Sequence, residues 1–421
     1  MLEVSQSLGQ LDGEYHERLL ELGEQLLDVS PDAMPEFIKS APTALDRVTV
    51  TQLEKWFSDG ARVIAQNEDA GLTYFRLESA YSQEVLETLS SSVEFARIKD
   101  LMEMYCRALA GADVEVAPSE ELAQKNIGWV STEAPSTEGT TVFVPALVDR
   151  YPSKSENFAL FKVVSTHQVA HIEFGSFDFE FQRPSVIFEN IRPSLGAAAD
   201  GPTAWVTDMQ RFFSHFTDRA LALDIFTVVE DGRLDARVKV EYPGISAAYL
   251  RVQGDSLDAR PELTTLPARE AMVEFLVRVS LKQTRDLQVP RQHKENALKI
   301  ARIAERVFVP TADVEDTAEA TLRIYAVLAE VDNEAVPEDE WDDVDIPDQQ
   351  ADEDEDLEEL IQQLMGMGAG EGEPGEEGER TDDAEADYEP AQQVDFRGDF
   401  KPELVQLLAQ LRQQSEDDQG G

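Results

Sequence analysis

Apolar residues recur at helical spacing through the first quarter of the chain. Between Glu14 and Val29, Leu19, Leu20, Leu22, Leu26 and Leu27 line one face of a helix. The same period continues in Val50–Gln66, Ala70–Leu89 and Val93–Ala110, separated by short polar or Gly-containing breaks. Short connections between amphipathic helices favour antiparallel hairpins, so residues 1–110 are expected to form an N-terminal helical domain. No strict repeat period is present.

The texture changes after Gly111. Asp113–Val116 alternates polar and apolar residues, and Thr140–Val144 (TTVFV) is β-branched and aromatic, ending at Pro145. The latter pattern predicts a strand. Asn157–Phe174 (NFALFKVVSTHQVAHIEF) then reads as one long, largely buried helix. Helical patterns return at 204–228, 267–283 and 294–330, with a break at Val309–Ala312. Pro243–Gly244 ends the run that begins at Leu221. Phe174–Phe181 (FGSFDFEF) alternates like a strand or a packed aromatic corner. Residues 111–330 are therefore expected to form a second, α+β domain.

From Glu330 the periodicity dissolves. Residues 330–395 hold 28 Asp and Glu against the single Arg380, with five consecutive acids at Asp352–Asp356. Such a segment buries too little apolar surface to offset chain entropy, so 331–395 is expected to be a disordered acidic linker. Two amphipathic islands stand out, Leu357–Leu364 within the acid run and Glu403–Leu411 after DFRGDFKP. Residues 396–421 are expected to form a short C-terminal helical segment.

Charge and cysteine usage narrow the function classes. The net charge of −49 would repel nucleic acid and anionic membranes, so neither is expected as a partner. Cys106 is the single cysteine, which excludes a disulfide framework and a cysteine-built zinc site within one chain. No basic and apolar leader opens the sequence, and no apolar run approaches the roughly 18 residues of a membrane-spanning helix. A cytoplasmic protein is the expectation. Walker A, G-x-G-x-x-G, G-x-S-x-G and EF-hand patterns are all missing, so nucleotide binding and serine hydrolysis lack support.

The candidate chemistry lies in His167-Gln168-Val169-Ala170-His171. Spacing of i and i+4 puts both imidazoles on one helix face, as a zinc ion requires from one helix. The pattern is H-E-x-x-H with Gln168 in place of the glutamate that takes a proton from zinc-bound water. An amide has no basic lone pair at neutral pH, so metal geometry survives and the base is lost. Glu230, in the helix-like Leu221–Arg237, is the leading third ligand; Asp231, Asp235 and Glu173 are alternatives. A strand before the histidine helix and a glutamate on a second helix after it fit a degenerate zincin-like domain, with Thr140–Val144 as its edge strand. Two other readings stay open. The histidines could be core residues satisfied by buried carboxylates, and Glu230–Arg233 could be a buried ion pair.

Several segments together resemble the N-terminal half of the NorD/CbbO family of activation proteins. They are YCRALAG (Tyr105–Gly111), IGWVSTE (Ile127–Glu133), EGTTVFVP (Glu138–Pro145), THQVAHIEFGSFDF (Thr166–Phe179), DIFTVVEDGRLD (Asp224–Asp235) and YPGI (Tyr242–Ile245), with LEKWFSDG (Leu53–Gly60) and YFRLES (Tyr74–Ser79) upstream. The resemblance spans roughly residues 30–330. Family members join this region to a von Willebrand factor A domain carrying D-x-S-x-S, and a MoxR-type AAA+ ATPase is the partner in activating a client metalloenzyme. No D-x-S-x-S occurs in this sequence, so such a module would have to act in trans, or the chain is a truncated or split member. The resemblance implies a non-enzymatic adaptor working with a MoxR-type ATPase and a client enzyme, with zinc as a possible bound metal. The alternatives are a zinc-dependent hydrolase using Glu173 or Asp231 as base, and a metal-free helical scaffold.

Overall fold

A computed structural model of the protein describes residues 9, 13–27, 29–111, 113–124, 134–195, 207–346 and 388–407. Their architecture is mainly helical, with three small sheets. Two compact units are present, residues 1–94 with 147–159, and residues 95–146 with 160–421. The island Leu357–Leu364, most of the acidic linker and the segment Ile127–Glu133 lie outside the described residues.

The first unit contains α1 (Gly13–Leu27), α2 (Ala33–Leu45), α3 (Val50–Gln66), α4 (Glu68–Phe75) and α5 (Ala80–Leu89). Thr49 and Gln52 form a capping box at the start of α3, and Ser79 caps α5 by accepting from Ser82 N–H. The continuous helix expected over 70–89 is broken, because Asn67 and Ser79 each start a new helix and Leu77 takes φ of 61° between them. The core is aromatic. Phe37, Trp56, Phe57, Tyr74 and Phe75 pack edge-on or stacked, with ring centroids 5.0–6.1 Å apart. A two-stranded antiparallel pair, β1 (Val93–Glu94) with β5 (Leu147–Val148), also belongs to this unit.

The second unit begins earlier than expected, at α6 (Phe95–Ala110). This helix packs on β2 (Glu115–Pro118), and its Tyr105 hydroxyl lies 2.7 Å from that of Thr166. It is tied to the α+β layer. A short helix α7 (Ser119–Gln124) follows β2. The sheet order is β2, β4 (Thr141–Val144), β3 (Ser136–Glu138). β4 pairs parallel to β2 and antiparallel to β3. The predicted strand is present, but both its edges are used. It is the central strand of its sheet, with β2 and β3 at the edges, and so not the edge strand expected.

α8 (Lys154–Glu173) is the predicted buried helix; its residues from Leu160 onward belong to the second unit. FGSFDFEF forms a packed corner and no strand: Phe179 and Phe181 join Phe212, Phe213, Phe226 and Phe400 in one cluster. The helix expected over 204–228 is divided into α9 (Asp208–Phe213) and α10 (Arg219–Glu241), the latter capped by Asp218. α10 is the spine of the unit. It packs against α11 (Ser246–Asp258), α12 (Ala268–Ser280), α13 (Lys294–Val307) and α14 (Val314–Ala329). A side chain at Gly232 would strike the Phe308 ring at 2.2 Å, so α10 must carry glycine where that ring crosses it.

The folded body does not end near residue 330. Val331 is fully buried, and β7 (Trp341–Val344) pairs antiparallel with β6 (Leu287–Pro290). In this stretch Val344 and Ile346 bury while Asp343 and Asp345 stay exposed, an alternation that supplies apolar anchors despite the high charge. Residues 388–407 also belong to the second unit and include Arg397, which is 1% exposed. The helical expectation for 396–421 is met at 402–407; residues 408–421 lie outside the described residues.

Candidate metal centre

α8 and α10 each contribute to one buried polar cluster. Helical spacing on α8 places His167 and His171 on the same face, their rings edge-to-face with centroids 5.2 Å apart. From α10, Asp231 meets them. Its Oδ1 lies 3.4 Å from His167 Nε2 and 3.8 Å from His171 Nε2, and the three atoms lie within 4.8 Å of one another. Zinc bound tetrahedrally at about 2.0–2.1 Å has ligand atoms roughly 3.3 Å apart, so the His167–Asp231 edge already has that spacing and the rest of the triangle would contract toward it.

The strongest sign of a ligand is what these three atoms lack. His167 Nε2, His171 Nε2 and Asp231 Oδ1 are all buried, and the polar contacts they have are the long approaches of 3.4 and 3.8 Å to one another. Buried polar atoms are normally paired, and three orphans converging on one point fit a cation. The two imidazoles and a carboxylate are a donor set suited to zinc, with a fourth position left over.

The far sides of both rings are fixed in the sense a metal needs. His171 Nδ1 lies 3.1 Å from Ser176 Oγ, whose proton goes to Glu230 Oε1 at 2.5 Å. Ser176 can therefore only accept from His171, which puts the proton on Nδ1 and the lone pair on Nε2. His167 Nδ1 donates toward Asp235 Oδ1 and the Tyr249 hydroxyl, both at 3.0 Å. Asp235 is held in turn by Tyr249 at 2.9 Å, Gln253 at 2.8 Å and the Arg397 guanidinium at 2.6 Å. Carboxylates acting through the second ring nitrogen are how proteins orient metal-binding histidines.

Charges follow this layout. Burial opposes ionisation of Asp235, but Arg397 and His167 outweigh it and hold the carboxyl below its usual range. Burial likewise disfavours a charged His167, yet hydrogen bonds and charge from Asp231 and Asp235 push it up to about 9 without a metal. Burial, and then the charge of His167, drives His171 well down, so it stays neutral. Burial also raises Asp231, partly offset by His167.

Glu230, the leading third ligand in the sequence, is not in this triangle. Both its oxygens are taken by Arg233, at 2.5 and 2.9 Å, with further hydrogen bonds from Ser176 and from Thr317 at 2.7 Å. Successive helix residues point about 100° apart, so when Asp231 faces the histidines Glu230 faces α14. Glu230–Arg233 is the buried ion pair that the sequence left open, and through Ser176 it orients His171. Glu173 lies elsewhere, accepting from the Tyr242 hydroxyl. Asp235 supports His167 from its Nδ1 side.

Gln168 is committed as well. Thr137 Oγ1 lies 2.9 Å from both its carbonyl oxygens, backbone and side-chain, and its amide donates to Arg397 O at 2.5 Å. Ser176, Tyr249 and Arg397 are site residues that sequence reasoning missed. The one available signal was an arginine beside glycine and between phenylalanines, in DFRGDF, within an otherwise acidic stretch.

Comparison of the chain with protein-family models, with curated proteins and with solved structures finds no match. Among the described residues, no helix is long and apolar enough to cross a membrane.

Proposed function

We propose that this protein is a metal-binding, non-catalytic adaptor whose second unit is a degenerate zincin-like domain. The observation that carries the reading is the convergence of three buried ligand atoms, His167 Nε2, His171 Nε2 and Asp231 Oδ1, that meet only one another. Zinc suits this donor set, with His167, His171 and Asp231 as ligands.

Catalysis has little support from the same geometry. Hydrolysis needs a free base beside the metal and room for substrate. Gln168 supplies no base. Asp231 is spent as a ligand, and Glu173, one oxygen of which accepts from Tyr242, does not belong to the triangle. His167 and His171 are 0% and 1% exposed, which leaves no surface for a peptide to reach. A bound ion here would cross-link α8 to α10.

The adaptor role rests on the resemblance to NorD/CbbO proteins, with a MoxR-type AAA+ ATPase and a client metalloenzyme as partners and a cytoplasmic setting. A von Willebrand factor A module would come from a separate chain. The test combines metal analysis with capture. Purified protein should hold about one zinc per chain, lost in His167→Ala/His171→Ala, should cleave no peptide, and should co-purify with a MoxR-type ATPase from its own genome. Absence of zinc from the wild-type protein would remove the metal centre. Chelator-sensitive cleavage lost in His167→Ala would replace the adaptor with a hydrolase, and failure to bind the ATPase would remove the partner assignment.

A further inference from the structure

The metal centre is closed by a segment that provides none of its ligands. Residues 388–407 cross the second unit, and their aromatic side chains cover both histidines. Phe400 stacks on the His171 ring, with centroids 4.5 Å apart at 15°, and Phe396 meets His167 edge-on at 5.6 Å. Between these rings the backbone is clamped. Arg397 O accepts from Gln168, Asp399 N–H donates to Pro135 O at 2.8 Å, and Asp399 forms a parallel bridge with Ser136 on the outer strand β3. The segment thus turns at Asp395–Arg397 and touches the outer strand β3 through a single bridge at Asp399.

An ion cannot cross this cover. A charged species passing through an aromatic layer would lose its hydration with nothing to replace it. Something must lift before metal enters or leaves. α8 and α10 carry the ligands and pack along their whole lengths in the core, whereas the cover is one short segment, held by the Phe396 and Phe400 rings, the buried Arg397–Asp235 ion pair and side-chain hydrogen bonds at Tyr388, Arg260 and Gln406. Opening follows the least costly unit. The closest approach is at Gly398, where φ is +66° and a side-chain Cβ would fall 2.0 Å from Pro135 O.

We propose that residues 388–407 act as a gate on the metal centre, so that zinc exchanges when this segment lifts and bound zinc in turn holds it down. The gate rests on the metal-centre reading. Its two halves are one coupling free energy: whatever the closed segment does to zinc retention, zinc does to segment closure. A client or ATPase that pulls on this segment would thereby control metal loading.

Full-length protein loaded with zinc tests this in two ways. In Gly398→Val, which touches no ligand and no residue bonded to one, release of zinc to an excess chromogenic chelator should accelerate by about tenfold or more. In the wild-type chain, amide hydrogen exchange across 388–407 should slow on zinc addition by a similar factor, a readout that does not depend on the variant folding. Unchanged exchange in 388–407 on zinc binding would overturn the gate while leaving the metal centre intact. So would an unchanged release rate in a folded Gly398→Val whose segment exchanges rapidly. Failure of the wild-type protein to bind zinc would overturn the metal-centre reading itself, and the gate with it.

Discussion

The two units bury different chemistry. Among the described residues of the first, the buried polar side chains are serines and Asn157, and the centre is a cluster of stacked and edge-on rings. In the second, arginines, carboxylates and two histidines lie at the centre beside the aromatic cluster. An apolar core maximises stability per residue, because burial of rings needs no compensating partner. A charged core needs every group paired and often gives no net stability over an apolar one. The second unit keeps such a core, and several of its buried polar atoms lack a hydrogen-bond partner, three of them converging on one point. Glu230, Glu319 and Asp235 are saturated with donors, whereas Asp231, adjacent to Glu230 on the same helix, turns an oxygen toward the two histidines alone. Unpaired groups amid a well-paired network mark where a ligand belongs.

The comparison can be broken most severely at the paired charges. Arg233→Ala should strip the buried Glu230 carboxylate of its counter-ion and cost about 3–5 kcal/mol, read as a large fall in the denaturant midpoint. Trp56→Ala in the first unit should cost a similar 3–5 kcal/mol through a cavity, yet leave zinc content unchanged. A loss of zinc in Trp56→Ala would show that the two cores are not independent.

The unpaired group gives the next effect. His167 has its folded value raised to about 9, above the roughly 6.5 of an unfolded histidine. Metal-free protein should therefore hold this contribution in full below about pH 6.5 and lose it as pH rises through 9, on the order of 3 kcal/mol. Zinc-loaded protein should not show that loss, since the ligand nitrogen then carries no proton. Melting curves at pH 6.5 and 9 with and without chelator check this; equal slopes in both would contradict it. At neutral pH, zinc at 100 times its Kd should add about 2.7 kcal/mol to the wild-type chain and nothing to Asp231→Asn.

The smallest effect sharpens the division between Glu230 and Asp231. Ser176→Ala removes the link that fixes the His171 tautomer through Glu230 while keeping all three ligands. Zinc affinity should weaken by about 10- to 100-fold, with little change in the melting temperature of metal-free protein. Unaltered affinity would mean that Glu230 serves stability alone.

Some of this was legible in the residues. Helical period gave α1, α3, α6 and α8 to within a few positions, and TTVFV gave β4. The aromatic corner at FGSFDFEF and the ion pair at Glu230–Arg233 were readable as possibilities. Less legible was the chain beyond Glu330, because its acid content masks single apolar anchors such as Val331 and Val344.

The sequence by itself determined what depends on neighbours along the chain. Four-residue spacing puts His167 and His171 on one face, Gln168 removes the base, and Asp218 or Thr49 starts a helix wherever the segment packs. Tertiary structure decided everything that depends on the rotation of one helix against another. Glu230 and Asp231 are adjacent carboxylates in one buried helix, and nothing local says which of them turns toward the histidines. The phase of α10, set by its contacts with α12, α13 and α14, gives that place to Asp231. The cover supplied by Phe396, Arg397 and Phe400 is likewise beyond any periodicity, because these residues meet α8 across more than two hundred positions of chain. Contacts of that separation are selected by the packing of the whole unit, which a local pattern does not encode.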